Sequence, residues 1–288
     1  MDYEEIVLTA DDAAKLFVRN YQPVIGDSAR TLIFVHGMSE HGGRYGHVAR
    51  KFVEQGWQVI VPDMRGHGLS GGVPMHVDDF DQYNRDLEVI RQHFGRPPEQ
   101  TAILGHSLGA LLSIRYVQQQ AGRVSAAVLL SPLLKVKVPI PWTTIALGKL
   151  LTFVAPRTRF SSTVDPKLTT RTQEIREQRE KDTLIHDSVT AAWYFAMTAT
   201  LRAAWDDAEK LRIPVLIMQA GSDGIVDPEA PERWLLLTGS CDRTFRSLDD
   251  HFHELHHEPS WEETIAHIQD WLDQRIPPAG QATQQCIA

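Results

Sequence analysis

The 288-residue chain has few cysteines, no excess of positive charge and no long apolar run. Its two cysteines, Cys241 and Cys286, do not provide the disulfide framework of a small secreted domain. Lysine and arginine number 29 against 37 aspartates and glutamates, which gives a formal charge of −8 and disfavours a nucleic-acid-binding protein.

No targeting segment is expected from the sequence either. No apolar stretch approaches the roughly 18 residues of a membrane-spanning helix. The acidic start, Met1-Asp2-Tyr3-Glu4-Glu5, lacks the basic and apolar regions of a signal peptide. We therefore expect a cytoplasmic location, with peripheral membrane association left open because an apolar patch can bind lipid without net positive charge.

Short apolar runs alternate with longer helical patterns along most of the chain. This order is typical of a mainly parallel sheet with helices on both faces. After a hairpin formed by 3–8 and 15–22, six further runs have the composition of strands: 31–35, 58–61, 101–104, 126–130, 214–219 and 244–248. The first four of the six are continuously apolar, as expected for strands covered on both faces.

The pattern changes after Pro132. Residues 133–205 contain helical stretches and no convincing strand, and one of these stretches, 139–154, is apolar around most of its circumference. We interpret 133–205 as a helical cap inserted into an α/β domain made of 1–132 and 206–276. The polar end of the chain, 277–288, is expected to be a flexible tail.

A candidate nucleophile lies in Gly105-His106-Ser107-Leu108-Gly109, which follows a predicted strand and opens a predicted helix. This context is typical of the α/β-hydrolase fold, in which the central serine sits on a strained turn above the sheet. A Cβ at either glycine would crowd the neighbouring strand and helix. The alternative is a serine that merely caps the helix.

The α/β-hydrolase interpretation assigns an oxyanion hole to two backbone amides. One comes from the residue after the nucleophile, Leu108. The other is the amide of Met38, in the glycine-rich loop that follows the strand 31–35. Without a nucleophile, this loop would be an ordinary glycine-rich turn.

Two aspartates compete for the role of the acid that orients the base. Asp227 precedes Pro228, and proline is favoured at the first helical position, so Asp227 is predicted to be a helix N-cap. Asp223 lies on a glycine-flanked loop directly after a predicted strand, where the chain order Ser–Asp–His places the acid. Asp223 is therefore the predicted acid.

Four histidines precede the last predicted helix: His251, His253, His256 and His257. Such a cluster raises the question of a metal site, but no cysteine lies near, and a zinc ion would compete with a catalytic triad for imidazole nitrogens. Spacing does not select the base among the four, and we expect the other three at the surface. The last helix itself opens with Ser260-Trp261-Glu262-Glu263, which has the pattern of a capping box.

The chain resembles the monoacylglycerol lipase and lysophospholipase group of α/β hydrolases. The resemblance rests on His36-Gly37-x-x-Glu40-His41-x-Gly43-Arg44-Tyr45, on 63–70 (DMRGHGLS), on 105–109 and on the regions of Asp223 and His253. It implies an eight-stranded, mainly parallel sheet flanked by helices, with a helical cap. It also implies that His253, at the start of His-Glu-Leu-x-x-Glu-Pro, is the base. The cap is the least similar part.

The implied activity is hydrolysis of carboxylic esters, in particular monoacylglycerols or lysophospholipids, through a Ser-Asp-His triad and an acyl-enzyme. The implied partner is a small lipid or ester substrate, with transient contact between the cap and a lipid surface left open. No metal or organic cofactor is expected. Two alternatives remain: a general carboxylesterase or thioesterase acting on short-chain or non-lipid esters, and a non-catalytic binding protein of the same fold.

Overall fold

The computed structural model describes residues 3–23, 30–137, 142–162 and 164–278. Its strands are β1 (Glu4–Thr9), β2 (Lys15–Tyr21), β3 (Arg30–Val35), β4 (Trp57–Pro62), β5 (Thr101–His106), β6 (Ala126–Leu130), β7 (Arg159–Ser161), β8 (Ser188–Thr190), β9 (Val215–Ala220) and β10 (Arg243–Leu248). Its α-helices are α1 (Gly46–Glu54), α2 (Asp81–Phe94), α3 (Leu108–Gln119), α4 (Trp142–Val154), α5 (Gln173–Lys181), α6 (Ala191–Asp206), α7 (Ala230–Leu235) and α8 (Trp261–Asp273).

The central sheet has eight strands in the order β1-β2-β4-β3-β5-β6-β9-β10. Strand β2 pairs antiparallel with β1 and with β4, and the remaining neighbours pair in parallel. The predicted mainly parallel, eight-stranded sheet is therefore confirmed. Its parallel strands bring the loops after β3, β5, β9 and β10 to one edge, where sites of α/β proteins are usually found.

The core lies on both faces of this sheet. Every residue of β3, β5 and β6 is buried, which explains why the apolar residues of these strands follow one another without alternation. One apolar cluster packs α2, α3 and α6 against the sheet, and a second packs α1 and α8 against the opposite face. The two faces together hold the site-bearing loops on a rigid support.

Helices α4, α5 and α6 lie between β6 and β9 in the chain, within the predicted cap. The expectation that 133–205 has no strand is wrong, because β7 and β8 pair antiparallel there. Three residues are too few to establish the period of two that identifies a strand in a sequence.

Two further predictions concern the C-terminal tail and membrane-spanning helices. The predicted tail, 277–288, lies outside the described residues after position 278, as does Cys286, whereas Cys241 is an exposed free thiol. Within the described ranges, no helix is both long enough and apolar enough to cross a bilayer.

Candidate active site

Ser107 lies on the sharp turn between β5 and α3. Its φ of 54° and ψ of −114° are in a region that L-residues rarely adopt. A Cβ on Gly105 would overlap the backbone of Gly109, and a Cβ on Gly109 would overlap the carbonyl oxygen of Val35. The two glycines therefore allow β3, β5 and α3 to approach closely around the serine.

The three predicted triad side chains are in contact. The Ser107 hydroxyl donates to His253 Nε2 at 2.8 Å, and His253 Nδ1 donates to Asp223 Oδ2 at 2.7 Å. The exposed fractions are 8% for Ser107, 4% for His253 and 0% for Asp223. The serine hydroxyl thus adjoins an imidazole that is held by a fully buried carboxylate.

The loop after β9 fixes the Asp223 carboxylate. Its Oδ1 accepts hydrogen bonds from the amides of Ile225 and Val226 at 2.8 and 3.0 Å, which leaves Oδ2 to face His253. Burial alone would raise the pKa of Asp223, but His253 and these hydrogen bonds outweigh burial and hold the pKa below its ordinary value. Asp223 is therefore ionised at neutral pH.

The same contact changes His253. Burial alone would lower the pKa of its imidazole, but the charge of Asp223 and the hydrogen bond to it raise the pKa above its ordinary value. A raised pKa makes the imidazole a stronger proton acceptor, as a general base requires.

Asp227, the competing acid, has other partners. Its carboxylate accepts from the Glu229 amide at 2.9 Å and pairs with Lys135 at 2.6 Å. The predicted N-cap position is wrong, because α7 begins only at Ala230 and Asp227 stabilises the turn before the helix. The Asp227 carboxylate is nevertheless occupied by local partners, so it does not face His253.

The loop after β3 carries one of the two predicted oxyanion amides. His36 anchors this loop, because its Nε2 accepts from the Met64 amide at 2.9 Å and its Nδ1 donates to the Gly37 carbonyl at 2.8 Å. Neither the Met38 amide nor the Leu108 amide donates to another group within the described parts of the chain. Both N–H groups are thus available to a ligand next to Ser107.

The histidines before α8 are less exposed than expected. His256 and His257 are buried together with His253, and His251 is partly buried, so the expected surface location of three histidines is wrong. The His256 ring stacks on Tyr45 with centroids 4.5 Å apart. Burial here comes from residues distant in sequence, which no local pattern reveals.

The family model described as serine aminopeptidase S33 (Hydrolase_4) matches residues 26–260 of this chain. The chain belongs to this family. The predicted α/β hydrolase of the monoacylglycerol lipase-like group is confirmed, and so is the predicted enzyme class, a carboxylic ester hydrolase.

Curated relatives and solved structures agree with this placement. Monoglyceride lipase of Rattus norvegicus is 29% identical over 278 residues, covering 93% of this chain and 90% of the relative. Phospholipase YtpA of Bacillus subtilis is 27% identical over 247 residues, covering 85% and 95%. The crystal structure of Paleococcus ferrophilus monoacylglycerol lipase superposes with a TM-score of 0.83 at 28% identity, covering 90% of this chain and 99% of that one. A Dictyostelium discoideum abhydrolase domain-containing protein is 28% identical over 281 residues, and this chain spans 29% of its length.

In this family member a buried acid, Glu40, connects the elements around the triad. Its carboxylate accepts from the Gly37 amide at 2.6 Å and from the Tyr45 hydroxyl, and it pairs with Arg44. Arg44 also pairs at 2.7 Å with Glu254, the neighbour of the predicted base. Burial alone would raise the pKa of Glu40, but Arg44 and other nearby groups hold it well below its ordinary value.

His106, at one of the two unspecified positions of the nucleophile motif, joins the same network. Its Nδ1 lies 3.2 Å from Glu40 Oε1, and its Nε2 lies 3.3 Å from the His253 carbonyl oxygen. Sequence reasoning misses both His106 and Glu40 as site residues. The available signal is that Glu40 falls inside the shared His-Gly-x-x-Glu-His motif although no catalytic role requires an acid there.

One group of side chains within the described residues has the spacing of a metal site: Glu254, His256 and His257. Arg44 and Arg179 both contact the Glu254 carboxylate. Because two guanidinium groups would repel a cation bound at this carboxylate, the cluster fits an ion-pair network better than a metal centre.

The predicted cap is attached to the loop that carries His253. The Glu254 amide donates to the Thr169 carbonyl at 2.7 Å, and the Arg171 amide and guanidinium both donate to the buried Glu258 carboxylate. The Thr170 hydroxyl donates to the His257 carbonyl at 2.8 Å. This segment of the predicted cap therefore directly supports the loop that carries His253.

Proposed function

We propose that the protein hydrolyses lipid-derived carboxylic esters, namely monoacylglycerols or lysophospholipids, with Ser107 as nucleophile, His253 as general base and Asp223 as orienting acid. The continuous Ser107–His253–Asp223 hydrogen-bond chain, at 2.8 and 2.7 Å, carries the proposal. Relatives named monoglyceride lipase and phospholipase support the substrate class.

In the first step Ser107 Oγ attacks the ester carbonyl carbon while His253 Nε2 takes the hydroxyl proton. The carbonyl electron pair moves onto oxygen, which the amides of Met38 and Leu108 stabilise. The imidazolium then protonates the leaving alcohol as the C–O bond breaks, which leaves the acyl group on Ser107. Water repeats the sequence with His253 again as base and releases the fatty acid.

The cap is proposed to bind the acyl chain and to touch lipid surfaces. Helix α4 exposes large apolar side chains, with Trp142 at 78% and Phe153 at 80% exposed and Leu147, Leu150 and Val154 more than half exposed. A contiguous apolar surface of this kind is unusual in water and suits contact with acyl chains. In this proposal 133–205 is the cap and 1–132 with 206–276 the catalytic domain.

A panel of substrates tests the proposal. It contains monoacylglycerols, diacylglycerols, lysophospholipids, p-nitrophenyl esters of increasing chain length, acyl thioesters and aminoacyl p-nitroanilides, the last because of the family description. We expect preference for medium or long acyl chains on a monoacyl substrate. A strict preference for acetyl esters or thioesters would favour the general esterase alternative. Cleavage of the anilides alone would favour a peptidase, and no turnover with no fluorophosphonate labelling would favour a binding protein.

Lipid contact is tested separately by sedimentation with phosphatidylcholine vesicles. We expect the double variant Trp142→Ser, Phe153→Ser to bind vesicles less and to keep its turnover of soluble esters. Arg202→Ser, on the exposed part of α6, is the matched cap control. Equal vesicle binding by all three proteins would contradict the proposed role of α4.

A further inference from the structure

Strand β9 carries one polar side chain, that of Gln219, in an otherwise apolar sequence. All six residues of the strand (VLIMQA) are buried, and Gln219 is 1% exposed. A strand covered on both faces is normally apolar, because burying an amide without hydrogen-bond partners costs free energy. Gln219 lies near the end of β9, just before the loop that carries Asp223. Its amide is therefore expected to have a specific partner in that loop.

The side-chain Nε2 of Gln219 faces two acceptors. It donates to the Ala220 carbonyl at 2.9 Å and to Asp223 Oδ2 at 3.3 Å. A carbonyl and an ionised carboxylate can only accept, so the NH₂ group rather than the oxygen must point toward them. The Oε1 of Gln219 is buried and has no hydrogen-bond partner within the described residues. This side chain thus uses its amide to hold the end of β9 and the Asp223 carboxylate.

Gln219 completes the set of donors around the Asp223 carboxylate. Oδ1 accepts from the amides of Ile225 and Val226, and Oδ2 accepts from His253 Nδ1 at 2.7 Å. Gln219 adds a fourth donor, on Oδ2, and an ionised carboxylate offers about four lone-pair sites. Ile225 and Val226 belong to the same loop as the acid, whereas Gln219 belongs to the central sheet. Its contact therefore connects the carboxylate to a rigid element.

We propose that Gln219 is a positioning residue of the triad, which holds the Asp223 carboxylate against β9 and keeps its Oδ2 directed at His253. The inference rests on the proposed function, because only a working triad requires this orientation. Gln219 makes no hydrogen bond to Ser107 or His253 within the described parts of the chain, so it acts through Asp223. An apolar side chain of similar length would fill the same space and leave the carboxylate freer to rotate.

Gln219→Met removes the amide and keeps a side chain of similar length. We expect kcat for a soluble p-nitrophenyl ester to fall about tenfold or more, as for loss of a hydrogen bond to a charged group. KM should stay within about twofold, because the contact orients the acid and binds no substrate. Gln118→Met is the matched control, at a buried glutamine of α3 whose Nε2 donates to the Ala204 carbonyl at 2.9 Å. Its kcat should stay within about twofold of the wild type.

Gln219→Glu separates positioning from packing through pH. Burial and the charge of Asp223 raise the pKa of the introduced carboxyl above that of an ordinary glutamate. While protonated, this carboxyl can donate to Asp223 Oδ2; once ionised, it donates nothing and repels Asp223. The ratio of its kcat/KM to that of the wild type should therefore fall about tenfold or more between about pH 6 and pH 9. Gln118→Glu should give a ratio that does not change with pH. Because both measurements use one variant, this test holds even where Gln219→Met does not fold.

Fluorophosphonate labelling distinguishes failure of this inference from failure of the proposed function. Labelling needs the triad but not the natural substrate, so Gln219→Met should label at Ser107 about tenfold more slowly than the wild type. A wild type that does not label at Ser107 would refute the proposed mechanism, and the role of Gln219 with it. A wild type that labels, together with an unchanged Gln219→Met, a pH-independent ratio for Gln219→Glu or an equal loss in Gln118→Met, would overturn the inference and leave the proposed function standing.

Discussion

Replacing Asp223 by asparagine removes the charge that faces His253 and leaves the side-chain volume almost unchanged. The structure also predicts how the amide will be oriented. Because the amides of Ile225 and Val226 donate to Oδ1, the asparagine carbonyl oxygen must take that position, and its NH₂ group must face His253 Nδ1. An NH₂ group there favours the tautomer with its proton on Nε2, which cannot accept the Ser107 proton.

We therefore expect Asp223→Asn to lower kcat by about 10⁴-fold, the size of the loss when a triad acid is replaced in this way, or about 5.4 kcal/mol in activation free energy. The wild-type kcat/KM should rise with pH through a midpoint above about 6.5, because Asp223 raises the pKa of His253 and only the neutral base is active.

The assay is hydrolysis of a soluble p-nitrophenyl ester between about pH 5 and pH 9. Asp227→Asn is the matched control, because it makes the same chemical change on the same loop at a residue paired with Lys135. Its activity should stay within about threefold of the wild type, as expected for loss of a partly exposed ion pair. Asp223→Asn with more than a tenth of wild-type activity, or an equal loss in Asp227→Asn, would refute the reasoning.

Three further predictions concern stability. Gly109→Ala should lower the unfolding free energy by about 3 kcal/mol or more in urea titrations, because its Cβ would overlap the Val35 carbonyl; a loss below about 1 kcal/mol would contradict the packing described. Asp63→Asn should lower the unfolding free energy by about 3–5 kcal/mol, because it leaves the buried charge of Arg19 without its carboxylate partner. An unchanged unfolding free energy would show that water solvates Arg19. Because folding lowers the pKa of Glu40, the ionised carboxylate stabilises the fold at pH values above about 4.5, the pKa of an unfolded glutamate, and this stabilisation is lost as the pH falls below that value. The free energy of unfolding of Glu40→Gln should therefore fall less than that of the wild type below about pH 4.5.

The central sheet and the nucleophile turn are predictable from sequence because local composition determines both. Strands buried on two faces are apolar without alternation, as in β6 and in the middle of β5. Residues 105 and 109 must be glycine because a Cβ at either position would overlap neighbouring backbone atoms, and this requirement belongs to the turn itself. The prediction of Asp223 over Asp227 uses the residues next to each aspartate together with the chain order of the triad in this fold.

Features made by distant residues are not predictable in this way. His256 packs against Phe34 and Tyr45 and His257 against His47, all distant in sequence. Spacing alone does not distinguish His253 from His256. Ser260 has the sequence of a capping box, but it makes no side-chain cap, and its hydroxyl contacts His251 at 2.7 Å instead. A tertiary partner replaces the local hydrogen bond in that case.

The most direct test of the proposed mechanism is mass spectrometry of the protein after reaction with a fluorophosphonate. We expect one covalent adduct, on the peptide that contains Ser107, with labelling lost in Ser107→Ala and strongly slowed in Asp223→Asn. Ser113→Ala, in a buried serine on the same α3 helix, should label like the wild type. An adduct on another serine, or ester turnover that persists in folded Ser107→Ala, would contradict Ser107 as the nucleophile.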